Sequence, residues 1–244
     1  MIEFDNNLSE HLKSELQCHG SDIVGFGDLT ELPVETREGL PTGISIAVKY
    51  PKDTIRGIHD LPTQEYYDQY NLLNKKLNML VTLGAKFLES FGYRAVGKTG
   101  EAVNQTRIDF YTTLLPHKTV ATRAGIGWIG KCALLITEEF GSMIRLSSIL
   151  TDAPLQTASP VNESRCGDCA YCTDACPGKA ISGLQWHVGV KREELVDVLA
   201  CHKAANERTM RSIGMERTIC GKCIEVCPYT QRYLMSEKTG ENKK

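Results

Sequence analysis

Residues 166–177 read CGDCAYCTDACP, and residues 220–228 read CGKCIEVCP. The first stretch sets Cys166, Cys169, Cys172 and Cys176 at two-, two- and three-residue gaps and closes on Pro177. The second repeats the ending with Cys220, Cys223, Cys227 and Pro228, and Cys201 stands ahead of it. Short gaps let three successive thiolates wrap the corners of one iron–sulfur cube, and the longer gap with its proline carries the fourth to a neighbouring cube. By that rule one [4Fe–4S] cluster takes Cys166, Cys169, Cys172 and Cys227. The other takes Cys176, Cys201, Cys220 and Cys223. Zinc ribbons also use C-x2-C pairs, but they do not need four cysteines within eleven residues followed by proline.

Working outward, the chain holds ten cysteines, and only Cys18 and Cys132 lie outside this group. Those two read as plain buried thiols. A disulfide framework suits short exported chains, and the N-terminus lacks the basic and apolar regions of a secretory signal. No apolar run is long enough to cross a bilayer. The expected address is the cytoplasm, with no membrane partner. With 41% apolar and 24% charged residues, the 244-residue chain suits a globular core, and its net charge of −2 gives no general pull toward nucleic acid.

Ahead of the cysteines the pattern is mixed α/β. Helices are expected over 8–17, 63–91 and 117–124, and strands over 22–27, 43–50, 93–96, 133–137 and 143–150. The long helix shows Leu73, Leu77, Leu80, Gly84 and Phe87 on one face. Tyr66, Tyr67 and Tyr70 near its start read as aromatic packing. A polar connector covers 152–165, and a short helix is expected over 191–203. These signals divide the chain into an α/β cofactor domain (1–155), a ferredoxin-like dicluster domain (156–235) and a disordered tail (236–244).

Gly125, Gly127 and Gly130 spell G-x-G-x-x-G with Trp128 inside and Lys131 after it. Dinucleotide-binding loops of that form run from strand to helix, so that a helix N-terminus receives the pyrophosphate. Here a helix precedes and a strand follows, which excludes that reading. Three glycines in six residues still require close backbone approach, to another segment or to a flat ligand.

The block over 117–155, with AGIGWIGK, LLI, GS and LTD, resembles the epoxyqueuosine reductase family, as do DIVGFGDL, LPTGISIAVKYP and FGYRA upstream. The likeness runs from about residue 20 to about residue 230. It implies an α+β fold in which a nitroreductase-like α/β corrinoid-binding domain sits against a ferredoxin-like double [4Fe–4S] module, distantly related to reductive dehalogenases. It implies base-off cobalamin as cofactor, with a flavin as the alternative. Gly125, Gly127, Trp128, Gly130, Lys131, Cys132, Ser142, Thr151 and Asp152 would then lie along the corrinoid pocket. The family's proton-donating Asp falls on Tyr111 here, and Asp109 is two residues away. The family also continues into a helical-repeat extension that grips tRNA, whereas this sequence ends about seventeen residues past Cys227. The expectation is therefore a low-potential reductase of a small-molecule or corrinoid substrate, served by a ferredoxin- or flavodoxin-type donor. Its alternatives are a non-catalytic electron carrier or corrinoid-handling partner, and a tRNA reductase whose RNA grip comes in trans.

Overall fold

The structure, a computed structural model, describes residues 6–105, 108, 109 and 111–236. The chain opens with helix α1 (Asn6–Cys18), strands β1 (Ile23–Asp28) and β2 (Thr42–Lys49), a turn of helix α2 (Lys52–Arg56) and the long helix α3 (Gln64–Ser90). Strand β3 (Ala95–Gly97), helices α4 (Gly100–Gln105) and α5 (His117–Arg123), the short strands β4 (Trp128–Ile129) and β5 (Leu135–Ile136), and β6 (Ile144–Thr151) complete the first part. Short helices α6 (Tyr171–Asp174), α7 (Arg192–Leu195) and α9 (Lys222–Glu225), with the longer α8 (Val198–Ile213) and α10 (Pro228–Met235), make up the cysteine-bearing part, with Cys172, Cys201 and Cys223 on α6, α8 and α9.

The main sheet is antiparallel in the order β1-β2-β6-β3, and β2 is buried at every position from Thr42 to Val48. Such a strand reads as a continuous apolar run because both of its faces are covered. On one face lie α1 and α3, with Leu12, Leu16, Leu80, Val81 and Leu88 fully or almost fully buried. On the other lies α5, and β1 and β2 present glycines to it. A Cβ on Gly27 would stand 2.6 Å from the Ala124 nitrogen, and one on Gly43 would stand 2.7 Å from the Val120 side chain. The alternation GFG in β1 is thus a floor shaped for a helix laid close against it.

Helix α3 starts where Thr63 caps it, its hydroxyl accepting from the Tyr66 amide at 3.2 Å. Two expectations change. The helix expected over 191–203 is two helices, because Val196 is extended (φ −144°, ψ 126°) and bridges Ile181, after which Asp197 caps a new helix running to Ile213. Cys18 is exposed rather than buried, since the inward face of α1 is taken by Leu8, Leu12 and Leu16. From 237 onward, the tail expected over 236–244 lies outside the described residues.

The two parts of the chain share their cores. Ile219, Ile224 and Leu234 join the core built on the sheet, while Trp128, Ile129, Cys132 and Ile136 pack with Ile181, Trp186, Leu195 and Cys227. The cysteine-bearing segment is therefore packed both onto the β4–β5 hairpin and against the core of the sheet.

Candidate functional site

Cys166, Cys169, Cys172, Cys223 and Cys227 line a cavity of about 130 Å3, together with Cys132, Lys131 and Arg165. Cys176, Cys201 and Cys220 form a second group, close enough for the first and third to raise the Cys201 thiol after burial has done so. Burial also pushes up Cys227, while the Cys132 contact followed by burial pushes up Cys172. Thiols gathered this way resist ionising side by side unless a cation holds them as thiolates. Among the described residues no three His, Cys, Asp or Glu side chains gather about one point. They stand around a cavity instead, as a cube held at its corners requires, so the donor set and its arrangement fit iron–sulfur clusters. Cys201 is exposed over the residue as a whole although its thiol is partly sheltered, whereas Cys227 is buried.

Beside the cysteines lies a second cavity of about 320 Å3, a size that suits a small ligand or one edge of a larger one. Its floor is apolar (Leu134, Leu135, Ile144, Leu146, Ile224), and its polar side chains are those of Tyr50, Tyr66, Thr113, His117, Lys118, Ser142 and Arg145. Tyr50 and Tyr66 pack with ring centroids 5.3 Å apart, and burial raises Tyr50 to about 12 and Tyr66 well above the phenol range. Both stay protonated at neutral pH. His117 accepts or donates at Ser148 Oγ over 2.8 Å, and burial, then Arg145 and Lys98, press it down to about 4, so it is neutral. Ser142 is 2% exposed and its hydroxyl has no hydrogen-bond partner among the described residues.

The two cavities are bordered by consecutive residues. Cys132 faces the cysteine cavity while Ala133 and Leu134 face the other, and Cys223 and Ile224 divide in the same way. Ala133 holds φ 58°, and the Gly130 amide closes the turn on the Leu134 carbonyl at 2.9 Å. Lys118 Nζ donates to the Ala133 carbonyl at 2.8 Å, which ties α5 to this border.

Of the residues expected along a corrinoid pocket, Ser142 lines the second cavity. The glycines serve chain packing: a Cβ on Gly127 would lie 2.2 Å from the Ile136 carbonyl oxygen, and one on Gly130 would lie 2.4 Å from the Ile136 side chain. Gly125 sits at φ 68°, where an added Cβ would lie 2.8 Å from the Ser159 carbonyl oxygen. Trp128 is fully buried, edge-on to Tyr229 at 4.9 Å. Lys131 donates to the Cys169 carbonyl at 2.9 Å, so both it and Cys132 belong to the cysteine cavity. Thr151 and Asp152 fasten the sheet edge, the hydroxyl donating to the Arg94 carbonyl at 2.7 Å and the carboxylate accepting its amide at 2.8 Å.

Neither expected proton donor lines the second cavity. Asp109 accepts the Tyr111 amide at 2.7 Å, and that bond, then the Thr112 hydroxyl, holds its carboxyl below the usual range. It is thus ionised at neutral pH. Tyr111 lies edge-on to His202 at 5.5 Å, and its carbonyl accepts from Arg192. Sequence reasoning passed over Tyr50, His117, Lys118 and Arg145. Arg145 carried a visible signal, a charge inside the apolar strand IRLSSILT.

Burial, then the Arg192 guanidinium, lowers Lys118 to about 8. A lysine whose folded pKa lies below its unfolded value costs stability while protonated. That cost is present below about pH 8 and is relieved as pH rises toward the unfolded value near 10.5. A Lys118→Met chain should therefore gain Tm over the parent at pH 7, and the gap should narrow between pH 8 and 10. Parallel melting curves across that window would contradict the depressed lysine.

A family model described as a 4Fe-4S double cluster binding domain matches residues 165–230. The chain is 28% identical over 211 residues to an epoxyqueuosine reductase of Prochlorococcus marinus, covering 82% of this chain and 60% of that protein. With that of Staphylococcus aureus it shares 29% over 236 residues, covering 90% and 57%. Among solved structures, an epoxyqueuosine reductase with an epoxyqueuosine-modified tRNA stem loop superposes at TM-score 0.60 and 23% identity, over 92% of this chain and 66% of the other. A catabolic reductive dehalogenase in complex with 3-bromo-4-hydroxybenzoic acid superposes at 0.70 and 18%, over 94% and 33%. The fold and the matched domain thus define a mixed α+β protein with a double [4Fe–4S] cluster module. Within that class the chain is a relative of the epoxyqueuosine reductases. It spans 57 to 60% of the length of these two curated relatives.

Proposed function

We propose that this chain is a corrinoid-dependent iron–sulfur reductase acting on a small molecule. The observation that carries the reading is that consecutive residues, Cys132–Ala133 and Cys223–Ile224, border a cysteine-lined cavity on one hand and a ligand-sized one on the other. Cys166, Cys169, Cys172 and Cys227 hold the cluster nearer the cofactor cavity, and Cys176, Cys201, Cys220 and Cys223 hold the other. Exposed Cys201 marks the side on which a low-potential ferredoxin or flavodoxin type of carrier delivers electrons.

The apolar side of the second cavity suits one edge of a flat macrocycle, with the Tyr50–Tyr66 pair as polar contacts. A bound corrinoid supplies a cobalt centre able to pass strongly reducing electrons to the substrate. This chain's part is to hold the substrate between α5 and β6 and to exclude water over the apolar floor. Ligation by thiolates alone supports the low potentials such a centre needs.

Cobalamin added to protein purified without oxygen is expected to shift to the base-off spectrum and to co-elute on gel filtration. No spectral change and no retention would remove the corrinoid, and retention of a flavin in the same experiment would put that cofactor in its place. The size of the cavity supports a small-molecule substrate. Turnover of epoxyqueuosine-bearing tRNA by this chain would overturn that part of the reading.

A further inference from the structure

The charge inside the 320 Å3 cavity is one-sided. Lys118 and Arg145 line it, and among the described residues no Asp or Glu does. Neither cation forms an ion pair among the described residues. Lys118 Nζ has the Ala133 carbonyl at 2.8 Å, a neutral acceptor. Arg145 spends both Nε and Nη2 on one neutral oxygen, Asn74 Oδ1, at 3.1 and 3.0 Å, and rests 4.3 Å over the Tyr70 ring. Glu193 is the carboxylate whose field reaches Lys118, but it is exposed and engaged by Arg192 at 2.5 Å. Lys98 adds a further cation near His117, though it is paired with Glu38. Two sheltered cations without a counterion are costly in the empty protein. Beside them the buried Ser142 hydroxyl has no hydrogen-bond partner among the described residues.

We infer that the small molecule received by this cavity is an anion, a carboxylate or a phosphate, recognised by the cations on its lining, Lys118 and Arg145, with the Ser142 hydroxyl as a further polar contact. A charge-assisted hydrogen bond to such a group would compensate a cation that the empty cavity leaves without a counterion. The apolar floor then takes the rest of the molecule, so an anion on a flat or aliphatic body fits better than a free inorganic ion. The inference rests on reading this cavity as the receiving site of the proposed reductase. The anion has two chemical sources, the substrate itself or the nucleotide phosphate of a corrinoid.

The test is calorimetric titration of the cluster-loaded protein with benzoate, its uncharged isostere benzamide, and inorganic phosphate. Benzoate is expected to bind tenfold or more tighter than benzamide, and Lys118→Gln and Arg145→Gln should each weaken benzoate about tenfold, the scale of one charge-assisted contact. Lys118→Arg should retain most of the affinity, and iron content should be the same in all variants. Equal affinity for benzoate and benzamide, or undiminished binding in both Gln variants, overturns the inference. Repeating the titration with cobalamin or with cobinamide, which lacks the nucleotide phosphate, separates the sources. Benzoate displaced by cobalamin alone assigns the anion to the corrinoid, and benzoate retained beside cobalamin assigns it to the substrate. Benzoate binding without any cobalamin spectral change sinks the corrinoid reading and leaves the anion site standing.

Discussion

A Cys227→Ala chain reconstituted without oxygen should carry about four iron and four sulfide where the parent carries about eight. Cys227 comes from the second cysteine group, yet it lines the same cavity as Cys166, Cys169 and Cys172. It is 7% exposed, and its backbone caps α10 ahead of Pro228. Alanine keeps that backbone and removes only the sulfur, so the loss should fall on one cube. Cys176→Ala is the mirror case, because Cys176 closes the first group but lies with Cys201 and Cys220. Each variant should keep a single [4Fe–4S] signal by electron paramagnetic resonance after reduction, and the two signals should differ. Eight iron in Cys227→Ala would break the crossed assignment, and none in either variant would mean that the two clusters assemble as one unit.

The double-cluster module was open to sequence reasoning because ligand spacing is a local, covalent constraint. So was α3, whose cap at Thr63 and apolar face through Leu73, Leu77 and Leu80 lie within the helix itself. The break at Val196–Asp197 was not legible. No glycine or proline marks it, and the extended Val196 is paid for by a bridge to Ile181, fifteen residues earlier. The short strand β4 escaped for a similar reason, since two residues carry no period to read, whereas β5 falls inside the strand expected over 133–137. Tyr66 was read as packing, and it does pack on Tyr50, but the pair also borders the cavity.

The glycine block shows where pattern and chemistry part. Close approach was foreseeable at Gly125, Gly127 and Gly130, and the partner was not, because Ile136 and Ser159 come near only through the fold. Lys131 likewise looked like a ligand contact in one dimension and proves to hold the Cys169 carbonyl. Lys118 and Arg145 lie 27 residues apart, on α5 and β6, and become a pair of cavity cations only when α5 packs across the sheet. A single charged residue in an apolar strand is the kind of conflict between local pattern and global fold that marks a working site.

Gly141→Ala should be among the most damaging single-methyl changes in this chain. Gly141 holds φ 59°, and a Cβ there would lie 2.3 Å from the Thr230 nitrogen and 2.4 Å from its Oγ1. The left-handed backbone alone costs a non-glycine residue about 1 kcal/mol. The steric conflict adds about 1–3 kcal/mol, because the obstacle is backbone that cannot swing aside as a flexible side chain would. Relief requires α10 to move, and that movement breaks the bond from the Ser142 amide to Thr230 Oγ1, 3.2 Å long. Cys227 stands three residues before Thr230, so the shift should reach the cluster it ligates. Gly39→Ala is the control, since Gly39 also has positive φ (75°) but meets nothing within 4 Å. The expected result is a Tm loss in Gly141→Ala about two to four times that of Gly39→Ala, from the ratio of these costs, with iron leaving one cluster first. Equal Tm losses in the two variants would show that α10 yields freely at Gly141, and that its contact with the β5–β6 turn does not position Cys227.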